Sequence, residues 1–435
     1  MTGLSKRDFL AGISSLAAFA PAAMAQAAED GFAVPPELQK RMYDTAMEIA
    51  LKKVRGGGDD PAFPKPFLDA AFNSNIFYWD TCFIATYAKY HQDTLPIVNA
   101  LDNFYRFQDG DGFICREYTK DGKPFWPKAH PVGTNPPLLA FAELELFAKS
   151  GDHDRLKAVY PNLKRHFDWL VAQFGMADGL FISDGLGSGM DNIPRFPDGW
   201  KDDGQGIACV QPYPENFRYD WLSSHWNHQG RSVDMTAQMA HFALNLKVIA
   251  ELVDQTDDIA PLGEFHVKTA RALNDLCWHE EDGFYYDLGY GQPIRRKHIG
   301  MFWVLIAGVV PADRLDRVLG HLTDPNQFWR RFPIASFPAD QAGFNPAGEY
   351  WLGSVWAPTN YMIIRGLLRV GRPDLADKLA RQYYWCVAQV FEATGTFWEN
   401  YAPDSLARGS QSQGDFCGWT ALVPIALWHE FIQTA

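Results

Sequence analysis

Three places in this chain stop one helical pattern with glycine and start the next within a few residues. The apolar block Met362 to Val370 ends at Gly371, and Pro373-Asp374 opens a second helical pattern. Gly151-Asp152 separates the run ending at Lys149-Ser150 from Arg155 to Leu170, and Gly308 to Asp313 precedes Arg314 to Leu322 in a looser version. Glycine takes the left-handed turn that ends a helix, and proline suits the first helical position of the next. These are weak internal repeats of helix pairs joined by tight turns. From Ser232 to Asp254, Met235, Met239, Phe242, Leu246, Ile249 and Leu252 recur every three or four residues. That is one continuous apolar stripe. Strand signals are few; Gly283 to Asp287 reads as one arm of a hairpin. Roughly a dozen helices in pairs predict an all-α fold, a closed toroid of helical hairpins with minor short β-hairpins in its loops, with an open α-solenoid as the competing architecture.

Nothing from residue 30 to residue 435 has the composition of a linker, so residues 26–435 read as one domain. Residues 1–25 read as a secretory signal peptide, with Lys6 and Arg7 ahead of apolar Phe9 to Phe19 and a small-residue cleavage site at Ala23-Met24-Ala25. Ser5 to Leu10 is similar to a twin-arginine signal with Lys6 in place of the first arginine. The expected location is therefore periplasmic or secreted, with an uncleaved anchor as the alternative. A formal charge of −13 repels phosphates and disfavours nucleic acid or an anionic membrane as partner. Six widely spaced cysteines without a C-x-x-C pair read as buried thiols.

The informative excess is aromatic: 14% of residues, with 15 tryptophans, several of them beside Gly, Pro and Asp in predicted loops. An aromatic face packs on the C–H face of a pyranose while polar groups take the hydroxyls, so carbohydrate is the expected partner. Long connections at Phe181 to Trp226 and Phe332 to Trp356 are of the length that usually carries function. Four segments concentrate rings, carboxylates and glycines: Phe77 to Thr81; Gly187 to Phe196, which holds Asp191; Glu349 to Tyr361; and Gly395 to Tyr401 with Gly414 to Thr420. Taken singly, Asp80 reads equally as a helix cap, and Asp191 and Glu399 read as structural carboxylates. Taken together, Asp191 and Glu399 form a candidate pair for glycosidic cleavage, which needs one protonated carboxyl and one ionised one.

The segments GMDNIPR, YWDT, EYWLGSVWAPTNYMIIRGL, TGTFWENY and GWTALV resemble the signatures of family 63 glycoside hydrolases, relatives of trehalases, in order from Trp79 to Leu422. The resemblance implies an (α/α)6 barrel and inverting hydrolysis of an α-linked glucoside or mannoside. It implies Asp191 as general acid and Glu399 as the base that activates water. It also implies Trp79, Asp80, Tyr350, Trp351, Trp356, Trp398 and Trp419 as sugar-binding residues. Gly112 to Glu117 and Asn135-Pro136-Pro137 are similar to trehalase loops, which makes Arg116 a further substrate contact. Leu352 and Ile193 stand where family members commonly have Arg and Ser, which bears on the sugar rather than on the acid and base. No cofactor or metal is expected. His225-x-x-His228 lacks further ligands at a recognised spacing, and Asp109 to Gly112 lacks the closing Glu of a calcium loop. Arg295 to His298 reads as a solvated helix start. A sugar epimerase or polysaccharide lyase on the same toroid, or a noncatalytic helical carbohydrate-binding protein, are the rival classes.

Overall fold

The computed structural model describes residues 31–69, 73–128, 131–195, 229–416 and 418–433. Expectations for residues 1–25, His225, His228, Cys209 and Cys417 lie outside these. Outer and inner helices alternate along the described chain. The outer set is Pro36–Lys52 (α1), Ile97–Arg106 (α3), His153–Phe174 (α5), Thr256–Ala272 (α7), Ala312–Thr323 (α9) and Pro373–Thr394 (α11). The inner set is Tyr78–Ala88 (α2), Leu139–Ser150 (α4), Val233–Leu252 (α6), the short Trp303–Ile306 (α8), Ala357–Arg369 (α10) and the π-wound segment Val423–Ile432.

Composition decides which helix goes where. Every residue of α2 is buried, and α6 is buried almost throughout, whereas α9 buries only Val318, Leu319 and Leu322. A helix apolar on all sides must be surrounded, while one with a single apolar stripe can face water. Each inner helix touches the next, α2 to α4 to α6 to α8 to α10, and the C-terminal segment packs against both α2 and α1. The ring closes. This is the expected (α/α)6 toroid, and the open solenoid is excluded.

The turns obey the sequence signals. Gly151 takes φ +65° at the end of α4, Asp152 caps α5 by accepting from the Arg155 N–H at 2.9 Å, and Gly371 takes φ +76° before α11. The inner-to-outer turns are therefore short. The outer-to-inner connections are long, and because the helices of each pair run antiparallel, their described parts (53–69 and 73–77, 107–128 and 131–138, 175–195 and 229–232, 273–302, 324–356, 395–416 and 418–422) gather at one end of the ring. The short strand pairs lie in these connections, including Trp278–His279 with Phe284–Tyr285 at the predicted hairpin. The Arg295 to His298 run does precede a helical turn, Ile299–Phe302, but only its first residue stays solvated: Arg295 pairs with Asp282 at the surface, Lys297 pairs with Asp340, and His298 is buried against Asp287. Cys82, Cys115, Cys277 and Cys386 are buried free thiols.

A charged cluster closes the opposite end of the ring interior. Lys89 reaches Glu145 at 2.5 Å and Glu430 at 2.9 Å, Arg365 reaches Glu145 at 2.9 Å, and Tyr361 donates to Glu430 at 2.9 Å. Lys89 follows the last residue of α2, Glu145 lies within α4, Tyr361 and Arg365 within α10 and Glu430 near the end of the C-terminal segment, so the cluster ties four inner helices together. Losing one partner of a buried pair leaves an uncompensated charge. Lys89→Ala is expected to cost about 3–5 kcal/mol of unfolding free energy, measured by chemical denaturation.

Candidate active site

The six long connections bring the predicted residues to one face. Trp79 and Asp80 occupy the first turn of α2, Arg116 and Glu117 come from connection 107–138, and Asp191 from 175–195. Tyr350, Trp351 and Trp356 precede α10, while Glu399 and Trp419 lie in the last connection. Backbone bonds between Val355 and Tyr401, at 2.8 and 3.0 Å, fix these last two connections to each other.

Asp191 sits in a chain of turns rather than at a helix end. Its half-buried carboxylate accepts from the Tyr350 hydroxyl at 3.1 Å. The neighbouring Asn192 accepts from the Trp351 N–H at 2.8 Å and so docks the acidic loop on the connection that carries Tyr350. Gly189 allows this approach: it has φ +76°, and a Cβ there would lie 2.6 Å from the Trp79 ring. Gly189→Ala is expected to cost about 1–3 kcal/mol in stability and to lower kcat by displacing either Trp79 or the turn before Asp191. Thermal melts and steady-state rates measure both. Ile193, which departs from the family pattern, is 1% exposed and packs into the core beneath the loop.

Glu399 is held by its backbone, whose N–H donates to Gln413 O at 2.9 Å and whose carbonyl accepts from the Trp419 indole at 3.0 Å. That leaves the buried side chain directed by main-chain anchors on both sides. Burial pushes the Glu399 carboxyl up to about 7, and the charge of Asp191 adds to the rise. Burial raises Asp191 to about 6, against the opposing pull of the Arg116 guanidinium and the Tyr350 bond. Burial also raises Asp80 to about 8, with the Arg116 charge opposing it and that of Glu399 adding to it. Glu399 thus feels the charge of Asp191, and Asp80 that of Glu399.

The aromatic residues enclose these carboxyls. Trp351 and Trp356 stack at 4.1 Å with their planes 5° apart, Trp419 meets both Trp79 and Trp356 edge-on at 5.7 Å, and Tyr350 meets Trp356 edge-on at 5.3 Å. Trp356 is fully buried and Trp351 nearly so, hence they form the layer behind the wall; Trp79 and Trp419 each keep 5% exposure. Trp398 stands apart from this group. Its indole donates to Thr394 at 3.2 Å and Arg408 lies over its ring at 4.9 Å.

Arg116 is buried, stacks over Trp126 at 5.3 Å and donates Nη1 to the Leu186 carbonyl, inside the loop that leads to Asp191. Two carboxyls of the site escaped the sequence reading. Asp184 is fully buried, accepts the Gly187 N–H at 2.5 Å and is raised to about 7 by burial. Glu117 accepts from Asn75 at 2.6 Å and from the Trp126 indole at 2.7 Å. Asp184 lies outside the motif segments, while Glu117 closes the Gly112 to Glu117 segment and its partners become visible only once the connections fold together.

Residues 73–420 match the family model described as the mannosylglycerate hydrolase MGH1-like glycoside hydrolase domain. The chain is 25% identical over 434 residues to a mannosylglycerate hydrolase of Thermus thermophilus, covering 87% of this chain and 99% of that one. It is 33% identical over 208 residues to a probable mannosyl-oligosaccharide glucosidase of Schizosaccharomyces pombe, a stretch that spans 44% of this chain and 26% of the relative. The crystal structure of a family 63 mannosylglycerate hydrolase from Thermus thermophilus in complex with glucose superimposes with a TM-score of 0.69 at 22% identity, over 89% of this chain and 99% of that one. With a family match across most of its length and a closed ring of helix pairs beneath it, the chain belongs to the MGH1-like family 63 glycoside hydrolases and is an enzyme that hydrolyses glycosidic bonds.

Proposed function

We propose that Asp191 is the general acid and Glu399 the general base of an inverting reaction on an α-linked glucoside or mannoside. The observation that carries this reading is that two carboxyls from different connections stand within one aromatic enclosure, Asp191 half-buried against Tyr350 and Glu399 buried beside Trp419, both rings being packed on Trp356. In the productive one-proton state Asp191 is protonated and gives its proton to the leaving glycosidic oxygen. Glu399, ionised, takes a proton from the water that attacks C1 on the opposite face. The C–O bond to the leaving group breaks as the bond to water forms, and the proton passed to Glu399 replaces the one lost by Asp191. Bound substrate fixes this arrangement, since the glycosidic oxygen accepts a hydrogen bond only from a protonated Asp191, and the attacking water donates to an ionised Glu399. Sugar binding falls to Trp79, Trp419, Tyr350 and Asp80.

Compatible substrates are a glucosyl- or mannosylglycerate, a trehalose-like disaccharide and the end of an α-linked oligosaccharide. A screen of these α-linked compounds for released monosaccharide identifies which one is turned over. Absence of hydrolysis on every α-linked gluco- and manno-configured compound, with turnover of a β-linked one, contradicts the reading. Residues 1–25 support export to the periplasm or beyond, and appearance of the mature N-terminus near residue 26 in a periplasmic extract is the corresponding test.

A further inference from the structure

The loop carrying Asp191 ends in a buried ion cluster to which the scheme above gives no role. Arg195, four residues on, is 1% exposed. Its Nη2 donates to Asp234 Oδ1 at 2.8 Å and to Asp287 Oδ2 at 2.9 Å, and its Nε donates to the same Asp287 oxygen at 3.1 Å. His298 Nε2 lies 3.1 Å from that oxygen as well. Both carboxylates are fixed in turn: Asp287 Oδ1 accepts the Val233 N–H and Asp234 Oδ1 the Met235 N–H, each at 2.8 Å, at the start of α6. One guanidinium therefore joins the acidic loop, the first turn of α6 and the hairpin connection 273–302.

Burying three charges is costly, and an apolar plug of the same volume would hold the loop at least as well on stability grounds alone. What the guanidinium adds is direction, because its donors lie in a rigid planar fork that fits carboxylates in one orientation. The path back to Asp191 is short and tight. Arg195 N–H donates to Ile193 O at 2.8 Å, Ile193 N–H donates to Met190 O at 3.1 Å, and both Met190 and Ile193 are buried. A shift of Arg195 is thus passed to Asp191 rather than absorbed by slack backbone. From the other direction Asn192 is pinned to Trp351.

We propose that Arg195, locked by Asp287 and Asp234, is a positioning residue that fixes the Asp191 carboxyl for proton delivery to the leaving oxygen. This rests on the reading of Asp191 as the general acid. A misplacement near 1 Å costs a reaction about 100-fold, and only a step that needs the misplaced group suffers. The test compares two substrates of the sugar that the enzyme turns over: its α-linked disaccharide, whose leaving oxygen needs a proton, and its α-glycosyl fluoride, whose fluoride departs without one. The variants are Arg195→Lys, which keeps the charge and loses the fork, and Asp234→Asn, which keeps the shape and the capping oxygen and stays measurable if the first fails to fold. The expected result is a fall in kcat of about 10–100-fold on the disaccharide with KM within about twofold, and a rate near wild type on the fluoride. Equal losses on both substrates, or wild-type kcat in both variants, overturn the proposal. Asp191→Asn is measured alongside: full activity on the disaccharide would refute the acid assignment itself, whereas leaving-group dependence in Asp191→Asn without it in the Arg195 and Asp234 variants refutes only the tether.

Discussion

Asp191→Asn is expected to lower kcat/KM on a disaccharide by about 10²–10⁴-fold, the range that a positioned general acid contributes. The substitution changes little else. Asparagine keeps the oxygen that accepts from Tyr350 at 3.1 Å, and the Asn192 anchor to Trp351 is untouched. The melting temperature is expected to coincide with that of the wild type near pH 3.8 and to lie above it from pH 6 upward, since asparagine removes the cost of ionising a buried carboxyl raised to about 6, and hydrolysis of the glycosyl fluoride is expected to persist. The pH profile supplies an independent check. With the pair raised to about 6 and about 7, activity on the disaccharide is expected to be bell-shaped around near-neutral pH, since only the one-proton state reacts. On the fluoride, which needs no proton, the alkaline limb is expected to be absent in the wild type and in Asp191→Asn alike.

Glu399→Gln is expected to abolish nearly all turnover on both substrates, since departure of fluoride still requires an activated water. Its effect on stability has the opposite sign. The folded-state pKa of Glu399 is about 7, above its ordinary value of 4.5. The folded enzyme therefore binds this proton more tightly than the unfolded chain does, and stability falls as pH rises from 4.5 to 7. Above pH 7 the full penalty applies, about 3 kcal/mol at 1.36 kcal/mol per pH unit. Glutamine removes it. At pH 8 the variant is expected to melt about 3 °C above the wild type, taking an unfolding entropy of roughly 2.1 cal/mol/K per residue, and at pH 4.5 the two are expected to coincide. A variant that is inactive and less stable at pH 8 would indicate that Glu399 is a structural carboxylate.

The ring of helix pairs was legible because its signals are local. Gly151, Asp152, Gly371 and Pro373 mark turns through backbone preference alone, and the apolar stripe from Met235 to Leu252 marks a packed helix. The catalytic candidates were legible as motifs, and the structure brings Asp191 and Glu399 together from segments some two hundred residues apart. What sequence did not reveal depends on long-range partners. Arg195 stood in plain view two residues after Ile193, but its carboxylates lie 39 and 92 residues away, and only the folded chain pairs them. The Arg295 to His298 run misled in part for the same reason, since a local basic cluster looks solvated until Asp282, Asp287 and Asp340 arrive. Trp398 looked like its neighbours in the motif, yet its ring meets Thr394 and Arg408 instead of the enclosing tryptophans.

Inverting chemistry by Asp191 and Glu399 is the central claim, and the anomer first released tests it most directly. Proton NMR of an α-glycoside digest, recorded before mutarotation, is predicted to show the β-anomer of the free sugar appearing first. Initial release of the α-anomer would mean retention through a covalent intermediate and would contradict the account.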